Sequence, residues 1–106
     1  MTVGTTGSRT TTWYRDGTIG HQRMVVNGVI ASRYYTRVSK PVIHPETGAY
    51  VYTAEDNARF YVITARGESA AYDGVLWNPR MRDDGAVAAY VALDGNRLLW
   101  KVASLQ

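Results

Sequence analysis

The sequence predicts an all-β domain: a small antiparallel barrel or sandwich of about seven to eight short strands, with a polar N-terminal arm. Three observations carry this. Glycines follow residues suited to turns at Asp16-Gly17, Asn27-Gly28, Thr47-Gly48, Arg66-Gly67, Asp73-Gly74, Asp84-Gly85 and Asp94-Gly95. Asn-Gly and Asp-Gly accept the positive φ angles of a type I′ turn, whose twist suits a two-residue hairpin. The runs between these glycines are rich in Val, Ile, Thr, Tyr and Trp, which fit a pleated surface. Finally, no apolar pattern of helical period persists beyond a turn or two.

Residues 1 to 8 are Thr, Gly and Ser with little else apolar, and read as a flexible arm before a single β domain over 9–106. A three-stranded meander is expected next, over 9–15, 18–26 and 29–38, with loops at Asp16-Gly17 and Asn27-Gly28. That register sets Gly20 between Trp13 and Tyr35, where aromatic rings would fill the space of the missing side chain. Lys40-Pro41 breaks the run, and His44-Pro45-Glu46-Thr47-Gly48 reads as a turn. Strands near 49–54 and 58–65 follow, joined through Glu55-Asp56-Asn57. A strand over 69–77 contains Asp73-Gly74, where a bulge or tight bend is expected. Residues 78–85 form the longest polar connection. In the last hairpin, a loop at Asp94-Gly95 sets Val91 against Leu98, Ala89 against Trp100 and Val87 against Val102, a face read as core. The opposite face, with Tyr90 and Arg97, reads as solvent or interface. The chain reads as free of internal repeats.

At 106 residues the chain is one domain, large enough to hold a core without staples. It has no cysteine, which excludes a disulfide framework, a thiolate zinc site and a Cys nucleophile. No secretory signal is visible, and the longest apolar run, Ala86 to Leu93, is far short of the ~20 residues of a membrane span. A cytoplasmic or virion-associated location is expected. The net charge is +3, which permits a polyanionic partner without demanding one.

Nothing in the sequence arranges catalytic groups. His21 and His44 lack a neighbouring nucleophile or acid–base partner, and Glu55-Asp56 and Asp83-Asp84 are sequence neighbours that a strand would point to opposite sides. No cofactor, metal or enzymatic activity is expected. Nucleic acid is the alternative partner: Arg23, Arg33, Tyr35 and Arg37 could set an aromatic platform in a basic groove, as small barrels do for single strands. Protein contact is preferred. Tyr, Trp and Arg are enriched at interface hot spots and Lys is depleted, and this chain has eight Tyr, three Trp and only two Lys. Met81, between Arg80 and Arg82, reads as an exposed docking tip, and Trp77 as the tryptophan left free of the core. The expected function is a non-enzymatic structural or assembly module that binds copies of itself or a larger protein. A virus or phage component of the decoration or connector type fits that description. A small inhibitor that caps a partner comes third.

Overall fold

Turn chemistry cuts the chain into many short strands. The computed structural model describes residues 2–5, 12–76 and 79–105, and these contain thirteen strands and no helix. They are β1 (Thr2–Thr5), β2 (Thr12–Thr18), β3 (His21–Val26), β4 (Val29–Ile30), β5 (Arg37–Val38), β6 (Val42–Ile43) and β7 (Tyr50–Asp56). Then come β8 (Arg59–Thr64), β9 (Gly67–Glu68), β10 (Gly74–Val75), β11 (Arg80–Met81), β12 (Val87–Asp94) and β13 (Arg97–Ser104). The all-β expectation holds, with more and shorter strands than expected. All pairings are antiparallel, and they form three sheets. The first has the order β1-β2-β3-β4. In the second, β5 and β6 lie on one edge of β7, followed by β8 and β9. In the third, β10 and β11 lie on one edge of β12, and β13 on the other. Of the residues read as an arm, Met1 and 6–8 lie outside the described residues, and β1 pairs with β2.

The three long hairpins are one unit repeated at a spacing of 38 residues. Their turns fall at Ile19-Gly20, Asn57-Ala58 and Gly95-Asn96, and Tyr14, Tyr52 and Tyr90 take the same place in each. The backbone bonds between elements repeat as well. The Ala31 N–H donates to Met24 O, and the Ser69 N–H to Val62 O, both at 2.9 Å. Tyr35 exchanges bonds with Gln22 at 2.7 Å, as Tyr72 does with Phe60 at 2.8 Å. His44 N–H reaches Ala49 O, and Arg82 N–H reaches Val87 O. This corrects the reading of a chain without repeats. The units share backbone geometry rather than residue identity, because each packs against different neighbours.

Successive units are joined by a segment that changes sheets. Tyr35 pairs with β3, and two residues later Arg37 pairs with Glu55 of β7. Tyr72 likewise pairs with β8, and Gly74 then pairs with Leu93 of β12. The tight bend expected at Asp73-Gly74 is this corner, a common device where strands switch sheets. Pro41 and Pro79 occupy equivalent buried places in the two segments, where the missing N–H opens a gap in the ladder.

Two cores follow from the two faces of the second sheet. On one side Tyr52, Ala54 and Ile63 meet Trp13, Met24 and Val26 of the first sheet. On the other, Val51 and Val62 meet Ala88, Tyr90 and Ala92 of the third, with Tyr72 and Leu105. Covered on both faces, β7 and β8 carry apolar side chains at successive positions instead of alternating.

Two expected registers shift. The first hairpin turns at Ile19-Gly20, not Asp16-Gly17, so Trp13 opposes Val26 and Arg15 opposes Met24. That sorting puts Trp13, Met24 and Val26 on one face for burial, and it leaves Asp16 beside Arg23 across the strands. Tyr35 then meets Gln22 rather than Gly20. The last hairpin turns at Gly95-Asn96, which places Asp94 opposite Arg97 and shifts every partner by two. A shift of two keeps each side chain on its face. The core assignment is nevertheless inverted for most of the hairpin: Ala88, Tyr90 and Ala92 are buried and Leu98, Trp100 and Val102 exposed, while Val91 on the expected face is buried, at 6% exposure. The small alanines let the third sheet close on Tyr72, Val51 and Val62, and apolar content alone could not indicate that.

The middle turn is the least favourable of the three. Asn57 and Ala58 both have positive φ, 53° and 59°, which a type I′ turn requires and which suits Asn-Gly better than Asn-Ala. Relief of the alanine's left-handed strain should make Ala58→Gly stabilising by about 0.5–1 kcal/mol. A urea midpoint that does not rise in this variant would contradict the turn geometry.

Candidate interaction surface

The outer face of the third sheet is built by alternation along β12 and β13. With Ala88, Tyr90 and Ala92 turned inward, Val87, Ala89, Val91 and Leu93 turn outward, opposite Leu98, Trp100 and Val102. Leu76, bonded through its N–H to Val91 O at 2.9 Å, extends the middle row to Leu76–Val91–Trp100. Arg80, opposite Ala89, completes the row Arg80–Ala89–Val102. Trp100 is 72% exposed, Leu98 65%, Val102 61% and Leu76 47%. Scattered exposed apolar residues are ordinary; Leu98, Trp100 and Val102 along β13, with Leu76 beyond the buried Val91, form a patch that is a candidate contact surface.

The 38-residue spacing shows what this face is equivalent to. Gln22, Met24 and Val26 of the first unit correspond to Phe60, Val62 and Thr64 of the second and to Leu98, Trp100 and Val102 of the third. Met24 is 0% exposed and Val62 2%, because each faces the next sheet. Trp100 holds the same position, and among the described residues nothing covers it. The strand edge is bare too. β4 and Tyr35 line the outer edge of β3, and β9 and Tyr72 that of β8. Among the described residues no strand lies on the outer edge of β13.

The residues expected to form a protein contact are divided by the structure. Arg80 stands exposed at the margin of this face. Met81 is not a loop tip: it sits in β11 opposite Ala88 and packs, half-buried, on the second core. Arg82 clasps Asp84 with two bonds of 2.9 and 2.7 Å, and with the Ala86 N–H it holds the Asp84 carboxyl down at about 2. Tyr90 is buried and shares a 3.2 Å bond with the Tyr72 hydroxyl, and burial pushes its own hydroxyl pKa up. Arg97 is exposed at the hairpin end, opposite Asp94. Trp77 lies outside the described residues. Leu98, Trp100 and Val102 do not read as a surface in the sequence, because an apolar row on one hairpin face reads as core. The spacing of Tyr14, Tyr52 and Tyr90 was the signal that could have oriented the hairpin.

The residues considered for nucleic acid form no open basic platform. Arg23 pairs with Asp16 at 2.8 Å and Arg37 with Glu55 at 3.1 Å. Arg33 bonds both Asp56 (2.9 Å) and Glu68 (3.0 Å), and lies 4.2 Å over the Tyr35 ring and 5.2 Å over Tyr61. Tyr35 is buried and donates its hydroxyl to Glu68; burial, then this bond, raises its pKa. A ring so placed offers no face for base stacking. This cluster instead ties the first corner to the second sheet. Among the described residues no three His, Cys, Asp or Glu side chains gather as metal ligands, and no helix is long and apolar enough to cross a membrane. Comparison with family models, curated proteins and solved structures finds no match.

Proposed function

We propose that the chain is a non-enzymatic assembly module that docks protein through the outer face of its third sheet. The observation that carries this reading is Trp100, exposed at a position whose equivalents Met24 and Val62 are buried under a neighbouring sheet. A rigid aromatic anchor between two aliphatic neighbours, with Arg80 at its rim, has the composition of an interface centre. A subunit of a larger particle, such as a decoration protein of a virion, would use a face of this kind. Neutralised Arg23, Arg33 and Arg37 make nucleic acid the weaker partner, since affinity for it rests on cations free to meet phosphates.

The test is photo-crosslinking in the cells that make the protein, with a benzoylphenylalanine in place of Trp100. Protein adducts are expected from position 100 and not from the exposed control position Lys40. Absence of adducts at 100, or equal yields at both positions, would refute the docking role.

A further inference from the structure

The two ends of the stack are finished differently. The outer face of the first sheet is covered over β2 and β3 by its own chain, although Ile30 of β4 (54% exposed) and Ile19 at the hairpin turn (82%) stay open. Tyr34 stacks on His21 with ring centroids 3.9 Å apart, and Arg23 lies 4.6 Å over the same tyrosine. The Asp16 carboxylate accepts bonds from Arg23 Nε at 2.8 Å and from the Tyr34 hydroxyl at 3.2 Å. Beneath this cluster Val25 is only 3% exposed. Stacked-repeat proteins need such a polar outer face on a terminal unit to stay in solution. Among the described residues the opposite end has no such lid. Its outermost layer presents Leu76, Leu98, Trp100 and Val102.

Resting on the docking role argued above, we propose that the occupant of this bare face is a second copy of the chain. The two third sheets pack face to face about a two-fold axis. A capped end and a bare end make a poor pair. Head-to-tail stacking would press Trp100 against the Asp16–Arg23 pair and strip water from both charges, with no new partner for either. It would also run on as an open fibre. Bare face against bare face buries apolar surface against apolar surface and closes after two copies.

The distribution of charge selects one arrangement. The row Leu76–Val91–Trp100 crosses the sheet, with Arg80–Ala89–Val102 on one side and Gly74–Leu93–Leu98 on the other. A two-fold axis along the middle row lays that row of one copy over its equivalent in the other and exchanges the flanking rows. Arg80 of each copy then comes over Gly74 of its partner, the place in the facing row that has no side chain. There it stands two rows away from the partner's Arg80 instead of against it. Aligned sheets in sandwiches cross at roughly 30°, which this arrangement accommodates. The four exposed apolar side chains make a patch on the order of 400 Å² per copy, about half of a standard partner's share. A dimer of that size belongs at the weak end and should dissociate in the micromolar range.

Sedimentation of the purified chain from about 1 μM to about 500 μM tests the proposal. The parent mass is expected to rise from 11.8 kDa toward twice that value across the series. Trp100→Glu and, separately, Leu98→Glu should weaken association at least ~100-fold while the circular dichroism spectrum stays that of the parent. A parent that remains monomeric throughout overturns the second-copy inference, as does a dimer that survives both substitutions in folded protein. Should either variant fail to fold, crosslinking from a benzoylphenylalanine at position 100 in the purified protein decides. Adducts within 76 and 98–102 of a second copy support the two-fold, and adducts elsewhere or none overturn it. The docking role is judged separately: where the purified chain stays monomeric, adducts at position 100 with a different protein in cells would still uphold that role.

Discussion

Tyr52→Ala is expected to cost about 3–5 kcal/mol, the largest loss from any single truncation in the first core. The side chain is 1% exposed, lies between Trp13 and Met24 of the first sheet and Ile63 of its own, and leaves a void that these neighbours cannot all collapse to fill. A domain of this size has roughly 5–15 kcal/mol in total, so the variant should melt at least ~10 °C lower or fail to fold. Tyr52→Phe keeps the ring and should stay within ~1 kcal/mol of the parent. Urea midpoints for the two variants check the claim; near-equal losses would mean that ring packing is not what holds the first two sheets together.

Gly17→Ala should be nearly as damaging, for a reason that has nothing to do with burial. Gly17 is exposed, yet its φ is +103° and an added methyl would stand 2.1 Å from the His21 carbonyl oxygen. That oxygen is backbone, so the hairpin itself must deform, and the loss should exceed about 2 kcal/mol. Gly20→Ala provides the comparison. Its φ is +105°, but nothing lies within 4 Å of the added methyl. It should carry only the backbone penalty of ~1–2 kcal/mol. If the two variants melt together, the clash at Gly17 is not real.

What could be read from the sequence was local. Short β-rich runs, the Asn27-Gly28 hairpin and the bend at Asp73-Gly74 depend on residues within a few positions of each other, and all three are present. What could not be read depended on a distant partner. The register of the last hairpin is a local exception: Gly95-Asn96 takes the turn in place of Asp94-Gly95, which slides every pair by two. Its core face was inverted because Ala88 and Ala92 are buried by the bulk of Tyr72 and Val62, side chains 16 to 30 positions away. Arg80 is legible from the sequence and borders the candidate surface, whereas the expected hairpin register, which groups Trp100 with Val87, Val91, Leu98 and Val102, points Trp100 to the interior. The 38-residue spacing is carried by backbone bonds and by only a few identities, such as Tyr14, Tyr52 and Tyr90, and three dissimilar copies hide it well.

The corner segments have a mechanical consequence. Because 35–38 belongs to the first sheet at one end and to the second at the other, no peptide bond there can be cut without taking an edge from one of them. The same holds at 72–75 for the second and third. Repeating units in many proteins are beads that can be separated by a nick between them. Here they are links that share a side, so tension or proteolysis at a corner would strip an edge from a layer as well as part the two units.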